Sequence, residues 1–565
     1  MRIPGRSVRT ALAVAAAALT ALAPPAATEA DAADTAYDVL VFTRTAGFRH
    51  DSIPAGVQAV KDLGAGNDFT VNATEDPAAF TASNLAGYEA VVFLNTTGDV
   101  LNDNQQGAFE SYVRGGGGFV GVHAAADTEY SWPFYGQLMG AWFDSHPAIQ
   151  QATARVEDRA HPATSHLGQS WARTDEWYNY RTNPRSTAHV LATLDETSYN
   201  GGTMGADHPH TWCKTYEGGR SFYTGGGHTQ ESYADGAFRA QLLGGIRYAA
   251  GQAAADCRPE SGYTTLFNGS TTGWSQAGPG SFTNSDATLT TTGGLGLLWY
   301  SAQEYTSYSL KLDWMMPGDD NSGVFIGFPP SSDPWSAVDN GYEIQIDATD
   351  TADRTTGAVY GFASADIAAR DGALNPPGEW NTYELLVEGE HLQVFLNGVK
   401  INDFTNTDPA RSLQQGHIGL QNHGTGDDVR FRNVRIKGLS GRITGLAGKC
   451  VDVRAAATAD GTPVQLYTCN GTDAQKWSRV GQTIRAFGKC LDIAGGATAN
   501  RSPVQLHTCN GSGAQKWEVH TNSTLRNPQS GRCLDVPGGN SADGTQLALY
   551  DCVPTSPNEQ WKLPF

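Results

Sequence analysis

Hydrophobic and polar positions change their rhythm twice along the chain. Over 36–253, continuous apolar runs at Val39 to Phe42, Ala90 to Leu94 and Phe119 to Val122 alternate with stretches of helical spacing, clearest at Asn104 to Val113 and Phe238 to Ala249. Uninterrupted apolar strands between helices predict an α/β unit with an open, mostly parallel sheet and ligands at the strand C-termini. Over 261–439 the period drops to two, as in Ser309 to Trp314 and Tyr383 to Val387, with Gly, Asn, Asp and Pro between short segments. That pattern predicts an all-β sandwich. Over 441–565 one motif occurs three times: Lys449-Cys450-Val451-Asp452, then Val464 to Asn470, then Gln475-Lys476-Trp477, with Trp517 and Trp561 closing the second and third copies. Each unit is too short to bury its own apolar face, so three must share one core, with the tryptophans inside it.

The threefold segment resembles the ricin-type β-trefoil lectins over its whole length. The resemblance implies a sugar pocket in each repeat, built from an early Asp, an aromatic residue and a following Asn. The carboxylate would accept hydrogen bonds from hydroxyls while the ring stacks on the apolar sugar face. These roles fall on Asp452, Tyr467 and Asn470, then on Asp492, His507 and Asn510. The third repeat keeps Asp535 and Tyr550 but has Val553 in place of Asn and Glu559 in place of Gln.

The middle segment carries Leu266-Phe267-Asn268-Gly269, Asn321 to Phe325, Gly341 to Asp347, Gly378-Glu379-Trp380-Asn381, Gly419 to Gly424 and Phe431 to Val434. In this order the motifs resemble the 3-keto-disaccharide hydrolase domain family, a concanavalin-like jelly roll. Along a strand Glu343, Gln345 and Asp347 share one face, and Gln421 and His423 form a second same-face pair. If the two strands are neighbours, a carboxylate, amides and an imidazole converge, a set suited to proton abstraction beside a carbonyl. The resemblance implies cleavage of a glycosidic bond made labile by a 3-keto group, through loss of the C2 proton. Ile326-Gly327-Phe328 departs from the family, which commonly has an Arg shortly after Ser-Gly-x-Phe.

The first segment contains Thr43 to Ser52, Gly116 to Ala125, Phe143 to Pro147, Asp175 to Tyr178 and Gly225 to Thr229. These resemble the ThuA-like (trehalose utilisation) family, whose fold is the flavodoxin-like one of the class I glutamine amidotransferases. His123 stands where amidotransferases carry their nucleophilic Cys, so that activity should not follow. A pocket of His50, His123, Asp127, His146, Glu176 and His228 is expected. It can be read as a sugar site with histidine acid/base groups, as a divalent-metal site, or as structural hydrogen bonding by turn histidines. No cofactor beyond such a metal is indicated.

Composition narrows the partners. The formal net charge of -20 disfavours nucleic acid. Arg2, Arg6 and Arg9 precede an apolar run from Ala11 to Ala23, which reads as a signal peptide over 1–32, too short to span a bilayer. Export into an oxidising compartment makes the eight cysteines, Cys213 and Cys257 with Cys450/Cys469, Cys490/Cys509 and Cys533/Cys552, read as four disulfides. The expectation is a secreted, extracellular enzyme on oligosaccharide or polysaccharide, with no membrane or protein partner implied. A noncatalytic sugar-binding protein is the alternative, as is a conventional glycosidase using an acid pair such as Asp175/Glu176.

Overall fold

The computed structural model describes residues 36–305, 307–413, 416–480, 482–520 and 523–564; the signal peptide expected at 1–32 lies outside them. Strands β1 (Tyr37–Phe42), β2 (Phe69–Thr74), β3 (Ala90–Leu94) and β4 (Gly118–Val122) run parallel in the order β2-β1-β3-β4, and Gly219–Thr224 pairs parallel with β4. The sheet then continues through Pro209–Tyr216, His189–Leu194, Gln150–Val156 and Ser170–Asp175, all antiparallel. The expected mostly parallel sheet is therefore half antiparallel. The first antiparallel pair has a local cause: Glu217 and Gly218 both adopt positive φ, at 49° and 104°, the backbone of a tight primed turn that folds Pro209–Tyr216 and Gly219–Thr224 into a hairpin. One face packs Val39 and Val41 under helices Ile53–Gly66 and Gly236–Ala249, and the other packs Leu40, Phe42 and Phe93 against Phe109 and Leu138.

The middle segment is a two-sheet sandwich whose core includes Leu310, Leu312 and Trp314 from one sheet and Val324, Ile326, Ile344 and Leu420 from the other. The alternate residues of Tyr308–Met315 do not meet solvent. Lys311 pairs with Asp256 and Glu260 at 2.8 Å each, and Asp313 faces Arg435, so the segment on either side of Cys257 covers this face. Arg159 reaches across to the Asp286 carboxylate at 2.5 Å, and Asn375 clasps both backbone groups of Ala254. The third segment is a β-trefoil closed around Trp477, Trp517 and Trp561, each at most 2% exposed. Their indole N–H groups donate to the carbonyls of Val451, Leu491 and Leu534, one repeat-equivalent bond each. Disulfides join Cys213–Cys257, Cys450–Cys469, Cys490–Cys509 and Cys533–Cys552. No helix among the described residues is long and apolar enough to cross a membrane.

Candidate functional sites

The parallel half of the first sheet ends in loops that gather histidines, as the crevice rule for open α/β sheets requires. His123 follows β4 directly and sits at φ 47°, a left-handed conformation that turns its ring over the sheet edge. Its Nδ1 donates to the Gly225 carbonyl at 2.8 Å, which turns Nε2 inward. That Nε2 is 3.4 Å from Glu176 Oε2 and 3.3 Å from His228 Nδ1, and His228 Nδ1 is 3.1 Å from the same carboxylate oxygen. His50 stands edge-on to both imidazoles, with ring centroids 5.1 and 4.9 Å away. His146 reaches the other Glu176 oxygen at 2.9 Å from an exposed position. His50, His123, His228 and Glu176 each offer one metal-ligating atom, all within 4.8 Å of one another.

Electrostatics follow from burial and this crowding. Burial, then the fields of His123 and His228, lower the His50 pKa to about 3. Burial alone would raise Glu176, but hydrogen bonds to His123 and His228 prevail and hold it well below the usual carboxylate range. Burial opposes protonation of His228, yet the Glu176 hydrogen bond raises its pKa.

Asp127 does not join this cluster. It lies in the short helix after β4, and its carboxylate accepts from Tyr130 at 2.6 Å. Asp175 is no partner acid to Glu176 either. Fully buried, it accepts from Gly227 N at 2.8 Å, His228 N at 3.1 Å and Ser232 Oγ at 2.9 Å, and pairs with Arg173 at 2.8 Å. Its role is to hold the loop that presents His228. Asn95, at the end of β3, does the same from the other side by donating to Ser52 and the Gly227 carbonyl. The sequence named Asp175 only as half of an acid pair and gave no role to Asn95; the one available signal is that each ends or follows a sheet strand.

In the sandwich, Glu343, Gln345 and Asp347 do share the outer face of Tyr342–Asp347, but this strand does not neighbour His417–Asn422. Asn321–Phe328 lies between them. Convergence across two strand spacings is achieved by Gly323, where any Cβ would collide with the Glu343 carboxyl. The carboxyl lies over this gap toward Gln421; burial raises its pKa to about 8, and the Gln421 side chain offsets only part of that rise. The Oε1 atoms of Gln345 and Gln421 are buried without a hydrogen-bond partner. Trp299 and Phe325 form an apolar patch on this face, and the helix Trp335–Asn340 closes it through Ala337 while leaving Trp335 54% exposed. Two expected members stand apart. Asp347 accepts from Asn321 at 2.7 Å and from Thr349 N at 2.9 Å, while His423 lies beyond the strand end, exposed and 3.1 Å from Asp427.

In the trefoil, the first two repeats hold their Asp with paired glutamines: Gln465 and Gln475 on Asp452, and Gln505 and Gln515 on Asp492, at 2.8 to 3.1 Å. Tyr467 and His507 are partly exposed beside them, and Asn470 and Asn510 cap the following turns at Thr472 and Ser512. In the third, Ala548 and Glu559 replace those glutamines. A cavity of about 620 Å³ opens there, lined by Asp535, Tyr550, Val553 and Glu559 among others.

Three family models match the chain. They are trehalose utilisation (ThuA) over 38–249, a 3-keto-alpha-glucoside-1,2-lyase-like domain over 262–437, and the ricin-type beta-trefoil lectin domain over 439–561. No curated protein matches. Among solved structures, one described as ThuA-like, from Bacteroides uniformis, is 24% identical over 40% of this chain and 94% of its own, at a TM-score of 0.35. One described as a glycosyl hydrolase, from Parabacteroides distasonis, is 25% identical over 32% of this chain and all of its own, at 0.28. A non-toxic homologue of type II ribosome-inactivating proteins from Momordica charantia, solved with alpha-methyl-D-galactoside, is 32% identical over 22% of this chain and 46% of its own, at 0.21. A ThuA unit, a lyase-like sandwich and a lectin trefoil, in that order, make this a carbohydrate-active, carbohydrate-binding protein. Its four disulfides fit an oxidising compartment.

Proposed function

We propose that the chain is a secreted enzyme that cleaves the glycosidic bond of 3-keto-glycosides or related oligosaccharides in its middle domain, while the trefoil holds it on polymer. The observation that carries this reading is the Glu343 carboxyl, laid across Gly323 to Gln421 beside two amide oxygens that lack partners. Buried acceptors of this kind suit the hydroxyls of a sugar, and exposed Trp335 offers a ring for its apolar face. A carboxylate with a pKa near 8 is a stronger base than an ordinary one.

In this mechanism ionised Glu343 removes the C2 proton, acidified by the neighbouring ketone. The resulting enolate, its oxygen met by an amide N–H of Gln345 or Gln421, expels the C1 oxygen, which takes a proton to leave as an alcohol. Water then adds at C1 and C2 regains a proton, so the net change is hydrolysis. A conventional glycosidase needs a second free carboxylic acid. Position 345 is an amide and Asp347 is tied to Asn321 and Thr349, which favours elimination. Bound to polymer through the trefoil, the middle domain would meet substrate at raised local concentration.

The test compares turnover of a 3-keto-disaccharide by the wild-type chain, Glu343→Gln and Glu176→Gln. Glu343→Gln should lose about 100-fold or more in kcat, while Glu176→Gln retains activity. Loss only in Glu176→Gln would move the chemistry to the first domain, and an inactive wild type would leave a sugar-binding protein.

A further inference from the structure

We propose that His50, His123, His228 and Glu176 hold a divalent transition-metal ion of the zinc class above the C-terminal ends of the parallel strands. This centre is separate from Glu343 and does not depend on the reaction assigned to the middle domain.

The spacing of the donor atoms is the first argument. A tetrahedral ion with bonds of about 2.0–2.2 Å has donor–donor edges of about 3.3–3.6 Å. The triangle formed by His123 Nε2, His228 Nδ1 and Glu176 Oε2 has edges of 3.1, 3.3 and 3.4 Å, close to that length. His50 supplies a fourth donor within 4.8 Å of the others.

Second, the ligands are oriented by outer partners, as metal ligands usually are. The Gly225 carbonyl holds His123 in the tautomer that presents Nε2. His146 binds the Glu176 oxygen that points away from the triangle. Asp175 grips the backbone of Gly227 and His228, which fixes where the His228 ring stands.

Third, a metal-free hydrogen-bond network does not satisfy the group. The Nδ1 of His50 is buried without a hydrogen-bond partner, although the residue is only 4% exposed. Two other imidazoles crowd its ring edge-on. Three imidazoles and one carboxylate select zinc, cobalt or nickel over magnesium and calcium, which prefer oxygen donors. His228, whose side chain is 20% exposed, marks the side from which the ion enters.

The test uses the full chain, stripped with chelator and then dialysed against Zn²⁺ or Co²⁺. One equivalent of metal should remain per chain, and Co²⁺ should give the visible bands of a four-coordinate ion. His146→Ala, which removes an outer partner, should weaken Zn²⁺ binding by about 10–100-fold. His228→Ala should weaken it more and abolish the cobalt spectrum, while Glu343→Gln should bind like wild type. His228→Gln, at a partly exposed ring, repeats the test should His228→Ala not fold. A substoichiometric wild type, or equal binding by both His228 variants, would overturn the proposal.

Discussion

The Glu343 carboxyl should make the stability of the middle domain depend on pH in a way its amide variant does not. Burial raises its pKa from 4.5 to about 8. The folded chain therefore keeps a proton that the unfolded chain releases above pH 4.5. Its stabilising contribution is complete below pH 4.5 and is lost as pH rises through 8. Integrated between pH 5 and pH 8, the wild type should lose about 3–4 kcal/mol relative to Glu343→Gln, which fills the same space and has no proton to lose. For a domain of this size that is a shift of about 6–16 °C in the middle-domain melting transition. The assay is scanning calorimetry of both full-length chains across this range, following the transition that the substitution moves. The two curves should converge near pH 5, with the variant melting higher at pH 8. A relative change below about 1.4 kcal/mol, one pKa unit, would refute the burial argument.

Three further substitutions have definite outcomes. Gly323→Ala should push the Glu343 carboxyl off Gln421 and lower kcat/KM by about tenfold or more, with polymer retention unchanged; equal turnover would show that this approach is not needed. Trp477→Ala should cost the trefoil about 3–5 kcal/mol and abolish polymer pull-down, whereas Tyr467→Ala should weaken pull-down without moving the trefoil melting transition.

Much of this was legible in the residues. The trefoil repeats announce their core because Trp477, Trp517 and Trp561 each follow a Cys pair of the same spacing, and all three are buried as that pattern implies. Strands β1, β3 and β4 were marked by unbroken apolar runs. The hairpin that opens the antiparallel half of that sheet was hidden in Glu217-Gly218, a short turn whose backbone conformation is not an apolar pattern. Period two correctly put Glu343, Gln345 and Asp347 on one face, but a face is not a neighbour order. The intervening strand, and the need for glycine at 323, emerge only from register. The same limit explains His423 and Asp127: each lies close in sequence to the site, and each is turned away by the end of a strand or by a short helix.

The central claim is that C2 gives up its proton during cleavage, and turnover in D₂O tests it most directly. Products from a 3-keto-disaccharide, corrected for exchange in buffer and for exchange of the product with enzyme, should carry deuterium at C2 of the released keto-sugar. Cleavage that leaves the original hydrogen at C2 would contradict the account and require direct displacement at C1.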